Sequence, residues 1–298
     1  MSTHSIPASS KVWFITGSSS GFGRALVEEA LRRGDCVVAT ARKPEALATL
    51  AATAPDRLHL VELDVTRPEQ VRASVAAAIS RFGRIDVLVN NAGFSIVGAV
   101  EETDDDELRS TLELMFFAAV ATTREVLPHM RAQASGTIVQ ITSVAGLTTA
   151  PGFGAYCAAK HALEAMSECL AQEVNPLGIR VLVVEPGTFR TALFGAAFRR
   201  MPSLDAYAAT VGQMRSWVTQ MAGEQAGDPA KAARAIADVV ARPANELPLR
   251  LPLGGDAVDQ IRSKLAFIAA DVDRMEAIAR ETAFNVKPSD PCLEQALK

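Results

Sequence analysis

Long apolar runs are missing from this 298-residue chain. None approaches the roughly 20 residues that a membrane-spanning helix requires. The opening stretch, MSTHSIPASSK, has no apolar core, so no secretion signal is expected there. Cysteine is scarce. Cys36, Cys157, Cys169 and Cys292 are scattered, with neither metal-ligand nor disulfide spacing. That usage is expected of a protein of the reducing cytoplasm. The four histidines also stand apart, so no metal site is expected. An excess of one charge is lacking too: 30 Lys and Arg face 34 Asp and Glu, for a net charge of -4. No basic stripe is available to hold nucleic acid or an anionic membrane.

What the chain does have is 49% hydrophobic residues, ample for one large core spanning residues 1–298. Short apolar runs alternate with helical patterns. Strands are expected at 11–17, 36–41, 58–65, 85–93, 136–143 and 179–187. Helical spacing falls near 23–34, 44–52, 68–82, 104–131 and 154–174. Strands apolar on both faces, separated by helices, imply a Rossmann-type doubly wound parallel α/β sheet with helices on both faces. The rhythm changes after Gly187. Residues 188–225 read as helices without a strand, 248–255 as a last edge strand and 256–283 as a helix. Residues 1–10 are expected to be flexible and the tail VKPSDPCLEQALK loose. The dinucleotide-binding core is thus expected at 11–187, with the substrate side built from 188–298 in the same domain.

Between the first strand and the first helix runs TGSSSGFG, with Gly17, Gly21 and Gly23. Such a turn brings backbone amides and a helix N-terminus to a pyrophosphate. Read alone, it also fits a tight turn that binds nothing; its place after the first strand of the sheet favours a nucleotide. The end of the second strand selects the nucleotide. An acid there suits the ribose hydroxyl of NAD(H), but Ala41 occupies the position and Arg42 and Lys43 follow. A guanidinium grips a 2′-phosphate with paired hydrogen bonds, so NADP(H) is expected in preference to NAD(H).

Tyr156 and Lys160 lie four apart in YCAAK and therefore share a helix face. A phenol with a pKa of about 10 transfers protons poorly near neutrality. A nearby ammonium favours the phenolate and lowers that pKa, as acid–base work requires. In isolation such a pair also suits a solvated helix face. The company it keeps is more telling, because Ser143 ends the fifth strand, at the carboxyl edge where doubly wound sheets bind ligands.

Taken together, these segments resemble the short-chain dehydrogenase/reductase family, in its simple, non-extended branch, over about residues 10–195. The nucleotide motif is TGSSSGFG, with Ser19, Ser20 and Phe22 between the glycines; the adenine-side pair is Asp64–Val65. The NNAG motif is Asn90, Asn91, Ala92 and Gly93. Ser143 precedes Tyr156 by thirteen residues, as the family's catalytic serine does. PGTFRT supplies Pro186, Gly187 and Thr191, a segment that closes over the nicotinamide in the family. The resemblance implies that Tyr156 protonates a carbonyl oxygen while hydride arrives from the nicotinamide. It also implies that Lys160 tunes the tyrosine and binds the ribose, and that Ser143 orients the carbonyl. Homodimers or homotetramers built on the helices near 104–131 and 154–174 are implied as well.

The pattern breaks at Met115, where the family carries an asparagine that holds a water. A thioether is a weak acceptor and no donor, so an apolar setting is expected around it. The TDDDEL cluster reads as a helix start capped by Thr103, Cys157 as a packed thiol and His161 as a residue without a partner. Phe94, Phe153, Phe189, Phe194 and Trp217 are expected to line a pocket for a hydrophobic carbonyl or alcohol, with Arg199 and Arg200 as surface charges. Two other readings are a weakly catalytic NADP(H)-binding sensor or scaffold, and an epimerase or dehydratase relative.

Overall fold

Seven strands assemble one parallel sheet, whose five inner strands are buried on both faces. The seven are β1 (Val12–Ile15), β2 (Cys36–Ala41), β3 (Leu58–Glu62), β4 (Val87–Asn90), β6 (Gly136–Ile141), β7 (Ile179–Pro186) and β9 (Arg250–Leu253), in the order β3-β2-β1-β4-β6-β7-β9. The intervening helices are α1 (Gly21–Arg32), α2 (Ala48–Thr53), α3 (Pro68–Phe82), α4 (Asp105–Leu112), α5 (Ala118–Gln133) and α6 (Gly154–Val174). After β7 come α7 (Gln213–Met221), α8 (Pro229–Val240) and α9 (Gly255–Glu281). The computed structural model describes residues 10–195 and 197–283. Residues 1–9 and the tail from residue 284, which includes Cys292, lie outside them.

Two apolar layers sandwich the sheet. One holds Trp13, Leu26, Val89 and Ile236, between the sheet and α1 and α8. The other holds Phe14, Val75, Val126 and Leu170, between the sheet and α3, α5 and α6. Both faces of every central strand are therefore covered, as a doubly wound sheet demands. A third cluster, including Phe94, Met115, Phe153 and Tyr156, lies beyond the carboxyl edge.

The structure corrects the sequence reading in four places. Residues 188–225 do contain a strand: β8 (Phe198–Arg200) pairs in parallel with β5 (Ser95–Val97) as a separate two-stranded sheet. A three-residue strand shows no periodicity that would betray it. Helix α8 is an element that the sequence reading did not place. The α4 cap is Asp104, whose carboxylate accepts from Glu107 N at 2.8 Å. Thr103 instead donates to the Ala99 carbonyl at 3.0 Å. His161 does have a partner, with Nδ1 2.9 Å from the Cys157 carbonyl oxygen.

Candidate active site

The β1–α1 turn needs backbone that side chains resist. Gly17 has φ +65 and Gly21 φ +54, a region that glycine enters without strain. A Cβ on Gly23 would stand 2.3 Å from the Gly17 carbonyl oxygen, so this glycine lets α1 pack against the turn. The NNAG segment then latches the turn. Asn91 Nδ2 donates to the Thr16 and Gly17 carbonyls at 2.9 and 3.1 Å, and Thr16 Oγ1 accepts from the backbone of Asn91 and Ala92. Asn90 faces inward and donates to Gln140 Oε1 at 3.0 Å and Thr123 Oγ1 at 2.9 Å.

A groove of about 1130 Å³ runs along this edge. Gly17, Ser19, Ser20, Gly21, Phe22, Arg42, Asp64, Val65, Asn91, Ala92, Gly93, Pro186, Gly187 and Thr191 line it, together with Ser143, Tyr156 and Lys160. Gly23 is not among the lining residues. The residues fit a dinucleotide: the turn offers no side-chain bulk at its glycines, and Ser20 makes no side-chain cap, so the first amides of α1 face the groove uncapped. Exposed Arg42 stands near Asp64. Burial would raise the Asp64 carboxyl, but hydrogen bonds from Thr66, then Arg42 and Arg67, hold it below the usual carboxylate range.

Helix α6 carries Tyr156 and Lys160. Tyr156 and Lys160 are both buried, and Lys160 Nζ donates to the Ile141 carbonyl at 2.9 Å, at the end of β6. Ser143 Oγ accepts from Ala145 N at 3.1 Å, donates to the Pro186 carbonyl at 3.5 Å and stands beside the Tyr156 phenol. Burial pushes the phenol up to about 12, against the Ser143 hydrogen bond that lowers it. The depression expected from Lys160 is not among the influences on the phenol, which is raised rather than lowered. Burial also holds Lys160 down at about 8, with Glu164 acting in the opposite direction.

Behind Lys160 lies a charge network that sequence reading missed. Arg250 of β9 pairs with Glu164 at 2.7 Å and also with Glu185 and Glu168. Glu164 and Glu185 are almost fully buried, and burial raises both carboxyls. The available signal was Glu185 itself, an acid inside an apolar strand, which burial obliges to find a partner.

The five aromatic residues expected in one pocket divide. Phe94, Phe153 and Phe194 gather around Tyr156, with the Phe153 and Tyr156 rings 6.3 Å apart. Trp217 stacks edge-on against Phe194 at 5.8 Å and is half exposed. Phe189 belongs elsewhere: it packs 5.0 Å from Phe22 of the glycine-rich turn, because Gly227 leaves room for its ring there. Of the five, Phe94 and Phe189 line the groove. Arg199, expected to be a plain surface charge, also lines it, lies 3.9 Å over the Phe94 ring and pairs with Glu107 at 2.8 Å.

Met115 sits in a π-helical turn, Glu113–Phe117, that joins α4 to α5. It is 2% exposed and packs in the same apolar cluster as Tyr156. Cys157 is buried there too, and burial raises its thiol. No grouping of three or more potential metal ligands occurs among the described residues, and no described helix is long and apolar enough to cross a membrane.

The fold and groove are Rossmann-like. Residues 11–202 match a family model described as short chain dehydrogenase. The chain is 39% identical over 274 residues to Oxidoreductase BOA17 of Botryotinia fuckeliana, which covers 92% of this chain and 99% of that one. A crystal structure of a short-chain dehydrogenase from Streptomyces avermitilis superposes with a TM-score of 0.88 at 49% identity, over 93% of this chain and all of that one. Another relative, 3-ketodihydrosphingosine reductase of Bacteroides thetaiotaomicron, is 39% identical over 181 residues, 61% of this chain and 65% of its own. The chain belongs to the short-chain dehydrogenase/reductase family and is an NAD(P)-dependent oxidoreductase.

Proposed function

We propose that the protein transfers hydride between NADP(H) and a hydrophobic ketone or secondary alcohol, with Tyr156 as the general acid or base. The observation that carries this reading is the meeting of Ser143, Tyr156 and Lys160 on one wall of the groove. The nicotinamide supplies the hydride. Tyr156 delivers or takes the hydroxyl proton at its phenol oxygen. Ser143 hydrogen-bonds the same oxygen and holds the carbonyl beside it. Lys160, anchored to Ile141, steadies the tyrosine face and offers its ammonium to the ribose.

Three observations support the finer points. Arg42 lines the groove where an acid would serve NAD(H), and Asp64, an acid on the same lining, is already engaged by Thr66. Phe94, Leu193 and Ala197 make one end of the groove apolar. A relative named as a reductase of a keto compound agrees with carbonyl reduction. Pairing into homo-oligomers through α4–α6 is part of the proposal, since Phe117 and Met166 are exposed on those elements.

The test follows oxidation of NADPH and NADH with a panel of apolar ketones. Faster NADPH turnover with bulky apolar members is expected. A preference for NADH, or binding of NADPH without turnover of any member, would overturn the reading.

A further inference from the structure

Among the described residues, helix α9 touches the body at its root. Ala257 is fully buried and Asp256 accepts from Thr188 N and Oγ1, both at 2.8 Å. Between Leu265 and Glu281 every residue except Asp271 is exposed. A single helix exposed all round is marginal in water. Yet this one carries large apolar side chains in the open: Leu265 is 60% exposed, Val272 61% and Met275 49%. The segment lies beyond residue 202, where the family match ends.

Those side chains are not scattered. Ile261, Leu265, Ile268, Val272, Met275 and Ala279 alternate steps of four and three, the a/d register of a coiled-coil seam. Phe267 and Ile278 widen the stripe on one flank. We propose that α9 pairs with α9 of a second copy of this chain, as an antiparallel two-stranded coil.

Charge fixes the direction. With Leu265 as an a position, Arg262 and Glu276 fall at e, and Lys264 and Asp271 at g. A parallel pair would set Asp271 against Glu276 of the partner subunit on both flanks, acid against acid. An antiparallel pair that layers Ile268 on Val272 of the partner subunit sets Arg262 beside Glu276 of the partner subunit, twice. Its one like-charge approach, Asp271 to its own counterpart, is blunted by Arg274 at 3.1 Å. The arrangement is two-fold symmetric, so the contact is self-complementary and closes. A lipid surface is the poorer occupant. The helix bears six acids and four bases, whereas interfacial helices are basic on their polar face.

Sedimentation equilibrium tests this on the full-length protein. The double variant Leu265→Glu/Val272→Glu is expected to show half the wild-type mass, with NADPH binding retained because neither residue lines the groove. Arg262→Glu and Glu276→Arg should each weaken association at least several-fold, and their combination should restore it. Unchanged mass in the apolar double variant, or no rescue by the charge swap, would overturn the proposal. So would a wild-type chain whose unit is no larger than that of the variant but which co-sediments with anionic vesicles.

Discussion

Lys160 Nζ lies 5.8 Å from the centroid of the Tyr156 ring while it donates to the Ile141 carbonyl at 2.9 Å. The lysine is thus fastened to the end of β6 and presents its charge to the face of the phenol. The helix brings the two side chains to one face, and the strand end fixes where the lysine points.

Replacing Tyr156 with Phe keeps the ring in its cluster and removes the transferable proton. Turnover is expected to fall about 100-fold or more, with NADPH affinity close to wild type. Stopped-flow turnover alongside cofactor titration checks this. A Phe variant that kept most of its rate would exclude Tyr156 as the acid.

Arg42→Ala removes the cation beside Asp64. NADPH should bind more weakly by about 1.5–3 kcal/mol, the scale of a hydrogen bond to a charged group, while NADH should change little. Calorimetric titration of both cofactors reads the difference. Equal losses for the two would show that Arg42 does not touch a 2′-phosphate.

Lys160→Met probes the cost of a buried ammonium. Unfolded, the lysine holds its proton up to 10.5, and in the folded protein burial lowers this to about 8. Between those values the unfolded chain binds more protons, so wild-type stability rises with pH across that window. Below pH 8 the penalty is present in full. The melting temperature of the variant minus that of wild type should therefore be largest near pH 7 and shrink towards pH 10. A gap that widened with pH would contradict the buried charge.

Met115→Asn would place an amide in an apolar cluster. Left unpaired in that cluster, the amide should cost about 1–3 kcal/mol, lowering the melting temperature without raising turnover. Both readings taken on one preparation decide the matter: a faster enzyme of unchanged stability would mean that the amide had found a water to hold.

The sheet was legible because its strands are apolar on both faces, and the candidate site residues because their spacing is local. Tyr156 and Lys160 meet through helical geometry alone, and Ser143 lies at a strand end. Long-range partners were not legible. Nothing near Glu185 in the chain announces Arg250, 65 residues on. Phe189 read like any other pocket aromatic until Gly227 proved to receive its ring. The direction of the Tyr156 shift also escaped the sequence, since burial depends on what packs over the phenol. Helix α8 was a different kind of omission. Asp228 caps it and Pro229 follows at its first position, a start signal present in the text of the chain.

Asp256 belongs to the first turn of α9, yet its carboxylate fastens Thr188, next to the Pro186–Gly187 corner of the groove. A Cβ on Gly187 would collide with that carboxylate at 2.2 Å, so the contact has no slack. The helix and the loop are consequently geared together like a lever and its pivot. A body docked on the free arm of α9 would thus stand on the same helix whose first turn holds the loop beside the mouth of the groove.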